Sequence, residues 1–184
     1  MRLGLGAIAV LALLGCSNST PPSSAADVRD WSSVRIFLHR GLCFGACPSY
    51  RLEIHGDGTV VYCGIGFVGE KGERTRKIPV EAVKALFQQF SDATFFNLKY
   101  RYTGALSDAP TYTVALSVDG VHKTVVDYVG GMDEMPGSVT QLEDAIDQTA
   151  AAAEWIGTVS DIDKYLDPGP RPECYRRQLW DSFP

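Results

Sequence analysis

Residues 34–58 read VRIFLHRGLCFGACPSYRLEIHGDG, and the alternation on either side of the two cysteines sets the fold. Val34, Ile36 and Leu38 alternate with Arg35, Phe37 and His39, the period-two pattern of a strand with one buried face. Tyr50, Leu52 and Ile54 alternate with Arg51, Glu53 and His55 in the same way. Cys43 and Cys47 stand four apart around Gly45, and Pro48 closes the segment, so a short pinned loop at one end of a sheet is expected. Gly56-Asp57-Gly58 then signals a hairpin turn, glycine supplying positive φ. With Asp57-Gly58 as a two-residue turn, Ile54 falls opposite Val61 and Leu52 opposite Cys63. Cross-strand partners share a face, which would place Cys63 on the core side.

Downstream, residues 65–77 are Gly-rich and charged, a loop or a ragged edge strand. Residues 79–96 read as a helix: Pro79 suits the first turn, Glu81 the N-terminal dipole, and Val80, Val83, Phe87 and Phe90 form an apolar stripe. Residues 98–110 look irregular. A second hairpin spans 112–118 and 121–129 around Asp119-Gly120, and a second helix spans 136–155 with Val139, Leu142, Ile146 and Ala150 inward. Tyr50-x-Leu-x-Ile-x-x-Asp-Gly matches Tyr112-x-Val-x-Leu-x-x-Asp-Gly at every marked position. Either a ββα unit is duplicated, or two ordinary hairpins share common features. Both readings give an α+β domain: an antiparallel sheet of two hairpins plus an N-terminal strand, with two helices on one face. The Pro- and charge-rich extension, residues 157–184, has no periodicity, yet Cys174, Leu179, Trp180 and Phe183 suggest that it docks on the domain at residues 31–156.

At the other end, residues 3–14 are apolar, too short to span a bilayer as a helix and suited to a signal-peptide core. Leu13-Leu14-Gly15-Cys16 resembles the lipobox of bacterial lipoproteins. The resemblance implies a signal peptide over residues 1–15 and lipid (palmitate among its acyl chains) on Cys16. An ordinary secretory signal with an incidental cysteine is the plainer alternative. Residues 16–30 are rich in Ser, Pro and Ala and would serve as a flexible tether, with a reach on the order of 20 Å. Ser17 after the lipid cysteine, by analogy with sorted lipoproteins, favours the outer membrane, with the domain facing the periplasm or the cell surface.

At 184 residues and net charge −5, without a basic run, one ordinary domain is expected and a nucleic-acid surface is not. Setting Cys16 aside, four cysteines remain, and an even number in an exported chain points to disulfides with three connectivities open. Cys43–Cys47 with Cys63–Cys174 is favoured; a free Cys63 and Cys174 is the alternative. Thiol–disulfide exchange by Cys43 and Cys47 is the enzymatic candidate, but exchange catalysts have two intervening residues at a helix N-terminus, and here there are three before a proline. A metal site at the Cys pair with His39 or His55 lacks ligands, and a Cys–His nucleophile would be quenched by the disulfide. His39, His55 and His122 fit surface strand positions, Asp57 and Asp119 fit turns, and Asp133-Glu134 and Glu143-Asp144 read as solvated charges. Asp108 reads as a turn former, and pairing with Arg40 near the Cys loop is the alternative. No catalytic residue, metal or cofactor is assigned.

Arg40, the block from Cys43 to Tyr50, the Gly-Asp-Gly turn and Asp108-Ala-Pro-Thr resemble a bacterial family designated domain of unknown function 6438, over about residues 33–155. That resemblance implies export or lipid anchoring and no particular activity; Cys63 and the tail lie outside its pattern. The combined expectation is an envelope lipoprotein acting as a non-enzymatic binding module, held at the membrane by its N-terminal lipid. An envelope protein is the expected partner, and Arg40, Phe44, Tyr50 and Asp108 are the candidate contact residues. A periplasmic thiol–disulfide oxidoreductase is the alternative.

Overall fold

β1 (Arg35–Arg40) is the middle strand of a seven-stranded sheet in the computed structural model, which describes residues 20–128, 134–158 and 170–176. The other strands are β2 (Ser49–His55), β3 (Thr59–Gly66), β4 (Gly72–Lys77), β5 (Arg101–Thr103), β6 (Thr111–Val118) and β7 (Val121–Tyr128). Their order is β4-β3-β2-β1-β6-β7-β5. Both hairpins flank β1 antiparallel and in equivalent register. Ile36 lies between Ile54 and Leu116, Leu38 between Leu52 and Val114, and Arg40 between Tyr50 and Tyr112. The two copies of the Tyr-x-aliphatic-x-aliphatic pattern thus occupy matching places on either side of one strand.

The sheet is larger than two hairpins and a strand. Residues 72–77 form edge strand β4 on β3, and residues 101–103, expected to be irregular, form β5, which pairs parallel with β7. The first hairpin also differs in register from expectation: Ile54 faces Val60, Leu52 faces Tyr62 and Arg51 faces Cys63. The reason lies at Gly56. Its N–H donates to the Val34 carbonyl at 3.0 Å, and a Cβ there would come within 1.7 Å of the Trp31 carbonyl oxygen. Gly56 is therefore a turn residue, and Gly58 takes the left-handed conformation (φ 82°) with its N–H on the His55 carbonyl. The result is a three-residue loop with a glycine bulge. The Asp119-Gly120 turn has two residues, as expected. One residue of slip flips a strand, so Cys63 points away from the main core.

The core lies between the sheet and two helices, α1 (Val80–Asp92) and α2 (Gly137–Thr149). α1 buries Val83, Leu86, Phe87 and Phe90, while Val80 is at the surface, so the stripe is shifted from the expected one. The second helix stops short of residue 155: Ala151 adopts φ 50° and redirects the chain into α3 (Ala153–Ile156). The break lets Trp155 stack on Tyr62 at 4.9 Å between ring centroids. It also lets the Trp155 and Ile156 carbonyls accept the Glu70 and Gly69 N–H groups.

Of the expected tether, residues from Ala25 onward lie against the domain. Ala25–Asp27 forms a 3₁₀ turn, and the Arg29 and Asp30 N–H groups donate to the Asp119 carboxylate at 2.9 and 3.1 Å. On the outer face of the sheet, α4 (Glu173–Arg176) is joined to β3 by the Cys63–Cys174 disulfide, with Ile65 and Tyr175 packed beside it. Cys16, Leu179, Trp180 and Phe183 lie outside the described residues. Among the described residues no helix is long and apolar enough to cross a membrane.

Candidate functional site

The end of the sheet where β1 leaves and β2 and β6 enter carries a disulfide-closed loop with an exposed aromatic tip. Cys43 and Cys47 are bonded, their α-carbons 5.7 Å apart, and close a loop of residues 43–47. Two backbone bonds hold its root. The Gly41 N–H donates to the Thr111 carbonyl at 2.9 Å, and the Phe44 N–H donates to the Asp108 carbonyl at 3.1 Å. Gly41 is needed there because a Cβ would sit 2.6 Å from the Thr111 oxygen. Phe44 stands at the tip, 89% exposed, and Leu42 and Leu106 are exposed on the same pair of loops. An aromatic ring left in water on a loop with little freedom to fold it away is a feature of binding surfaces.

Behind this loop, Arg40 reaches from β1 toward α2. Its Nε donates to Asp147 Oδ2 at 2.9 Å and its Nη2 to Asp144 Oδ1 at 3.1 Å, while Glu143 Oε2 lies 3.6 Å from Nη1. The guanidinium lies over the Tyr112 ring at 4.5 Å, and the Tyr50 hydroxyl donates to Asp147 Oδ1 at 2.7 Å. Glu143 is only 1% exposed, and its Oε1 has no hydrogen-bond partner. Burial pushes Glu143 up to about 8; Arg40 opposes the shift, and the charges of Asp127, Asp144 and Asp147 add to it. Asp147 is raised by burial against the pull of Arg40 and Tyr50. Burial also raises the Tyr50 phenol, and Asp147's charge adds to it. Desolvation disfavours the Arg40 cation, but the surrounding acids more than restore it.

A family model described as a domain of unknown function (DUF6438) matches residues 34–150. The chain belongs to this family. No curated protein matches it.

The matched span of the DUF6438 domain contains both the loop and the Arg40 cluster, whereas Cys174 lies beyond it. Of the candidate contact residues, Arg40 and Tyr50 share Asp147, and Phe44 and Asp108 share a backbone bond. Asp108 does not pair with Arg40: its carbonyl serves the loop, and its φ of 65° fits a turn former. The acidic partners of Arg40 come instead from α2, so Glu143 and Asp144 are not merely solvated charges. Val139, Glu143 and Asp147 stand four apart, so a helix that buries Val139 also carries both carboxylates toward the sheet. That spacing was the available signal. Tyr112 was legible only as a repeat of Tyr50.

Neither cysteine of the loop opens a helix. Cys47 leads through Pro48 into β2, so the helix-terminus field that stabilises a thiolate in exchange catalysts is not supplied there. Among the described residues no group of three His, Cys, Asp or Glu could hold a metal ion. His55 bonds Glu53 at 2.8 Å, and His39 lines a cleft on the outer face. Asp57 accepts the Thr59 N–H at 2.8 Å, and its carboxyl is lowered by the Lys77 and Thr59 hydrogen bonds, as turn chemistry requires. Asp119 does more than turn the chain: burial raises its carboxyl, but the Arg29 and Asp30 N–H groups outweigh that and hold it low.

Proposed function

We propose that this DUF6438 domain is a non-enzymatic binding module of the cell envelope, carried on a lipid at Cys16 and presenting the Cys43–Cys47 loop to a protein partner. The observation that supports this most directly is Phe44, nearly fully exposed at the tip of a loop held by a disulfide and two backbone bonds. A preorganised loop loses little conformational entropy on docking, and a central aromatic supplies a large share of interface energy. The Arg40 cluster then acts as the rigid footing of that loop: Arg40 immediately precedes Gly41, and its side chain is clamped to α2. The signal peptide, the lipid and the outer-membrane location rest on residues 1–17 of the sequence.

The test uses the full-length chain in intact cells, with a photo-cross-linking residue at position 44 and a control at exposed Glu81. A discrete protein adduct specific to position 44, weakened in a Cys43→Ser/Cys47→Ser variant that still folds, is expected. Adducts indistinguishable from those at position 81 would end the binding reading. Metabolic palmitate labelling that vanishes in Cys16→Ser is the companion result for the anchor. Catalytic exchange with glutathione at Cys43 would favour the oxidoreductase alternative instead.

A further inference from the structure

The outer face of the sheet, away from α1 and α2, carries a row of cross-strand neighbours: Val126, Thr113, His39, Arg51 and Cys63. Part of this row opens into a cleft of about 230 Å³. Its polar lining is His39, Arg51, Thr113 and Thr124, and its apolar walls are Phe37, Tyr100 and Val126. Arg51 is the unusual member. Its guanidinium stacks over the Tyr175 ring at 4.4 Å, and Nη1 donates to the Tyr175 carbonyl at 3.1 Å, but its Nε is buried with no partner. Among the described residues no carboxylate pairs with it. Glu53, the acid two positions along β2, is occupied by Arg35 at 3.6 Å and by His55 at 2.8 Å. A second cation, Arg171, lies over the same Tyr175 ring at 4.6 Å. Burial, reinforced by the Arg51 charge, pushes the His39 imidazole down to about 4. A partly desolvated arginine without a counter-ion among the described residues, beside a neutral imidazole and two hydroxyls, is an arrangement that an anion would complete.

We propose that this cleft binds a small organic carboxylate, its head group held by Arg51, His39 and the Thr113 and Thr124 hydroxyls and its carbon body against Phe37, Tyr100 and Val126. The apolar walls favour a carboxylate with a short hydrocarbon part over bare phosphate, which has no carbon to set against Phe37, Tyr100 and Val126. The site is independent of the Cys43–Cys47 loop, so either assignment stands or falls alone.

Thermal unfolding of the purified full-length chain tests it, with benzoate, acetate or inorganic phosphate added at constant ionic strength against chloride. Benzoate is expected to raise Tm, climbing with the logarithm of its concentration once that exceeds Kd, acetate less, and phosphate and chloride not at all. Arg51→Gln should weaken benzoate at least about tenfold, as loss of one charge-assisted contact implies. Thr113→Val should weaken it several-fold, and His122→Gln, near the far end of β7, should leave it unchanged. Benzoate should also move the His39 imidazole signals in the NMR spectrum. No rise in Tm with any carboxylate, a rise that survives Arg51→Gln, or phosphate matching benzoate would each overturn the proposal. Should Arg51→Gln fail to fold, unmoved His39 signals at saturating benzoate would overturn it equally.

Discussion

Arg40 gathers Glu143, Asp144 and Asp147 with a buried tyrosine, and the electrostatic strain of that gathering falls on Glu143, whose second oxygen has no partner. Its folded pKa of about 8 lies above its ordinary value of 4.5, so the folded state binds the proton more tightly than the unfolded chain. The contribution to stability is therefore complete below about pH 4.5 and is lost as pH rises through about 8. Asp147, also raised, acts in the same direction. Urea unfolding of wild type and Glu143→Gln across pH 5 to 9 should show wild type falling relative to the variant, by on the order of 4 kcal/mol at most. A constant difference between the two would show that Glu143 does not change its protonation in this window. Arg40→Gln should lose about 3–5 kcal/mol at pH 7, because it leaves the largely buried Asp147 carboxylate uncompensated. Glu143 and Asp147 could have been anticipated from their four-residue spacing with Val139, but the burial of Glu143 could not, since it depends on how deeply α2 sits over β1.

The Cys43–Cys47 loop and the Gly56–Gly58 turn show how differently two short elements constrain the fold. Closing so small a loop removes little entropy from the unfolded chain, so Cys43→Ser/Cys47→Ser should cost about 2 kcal/mol in denaturant unfolding and leave the far-ultraviolet circular dichroism unchanged. Phe44→Ala should shift stability by less than about 0.5 kcal/mol, because its ring contacts mainly water. At the turn, Gly56→Ala should destabilise by more than about 2 kcal/mol, since the added methyl meets the Trp31 carbonyl at 1.7 Å, a backbone atom that cannot rotate aside. This contact also explains the register: Asp57-Gly58 and Asp119-Gly120 are the same dipeptide, but Trp31 and Val34 draw Gly56 into the first turn and lengthen it by a residue. Local turn chemistry announced a hairpin in both places; a contact twenty-five residues upstream, from Trp31 to Gly56, chose the loop length in one of them.

Across the whole molecule, the Cys63–Cys174 bond spans 111 residues and ties the C-terminal segment to the outer face of β3. By loop entropy it contributes up to about 5 kcal/mol, more than twice the share of the short bond. Cys174→Ser should expose residues 170–176 to protease while β1 amides keep their protection from hydrogen exchange, since the main core lies on the other face. Simultaneous loss of both would mean that the staple also holds the core. Alternation, turn dipeptides and helical stripes were enough to specify an α+β domain, both hairpins and two helices, because each is a pattern among near neighbours. They also placed Phe44 and the cysteine loop at a strand end. The choice of edge strand over loop for β4, the strand β5, the face occupied by Cys63, and the meeting of Arg40 with α2 emerged only from the folded chain. Each of these depends on which distant segment supplies a strand's hydrogen bonds or a charge's counter-ion, and periodicity within one segment carries no information about that.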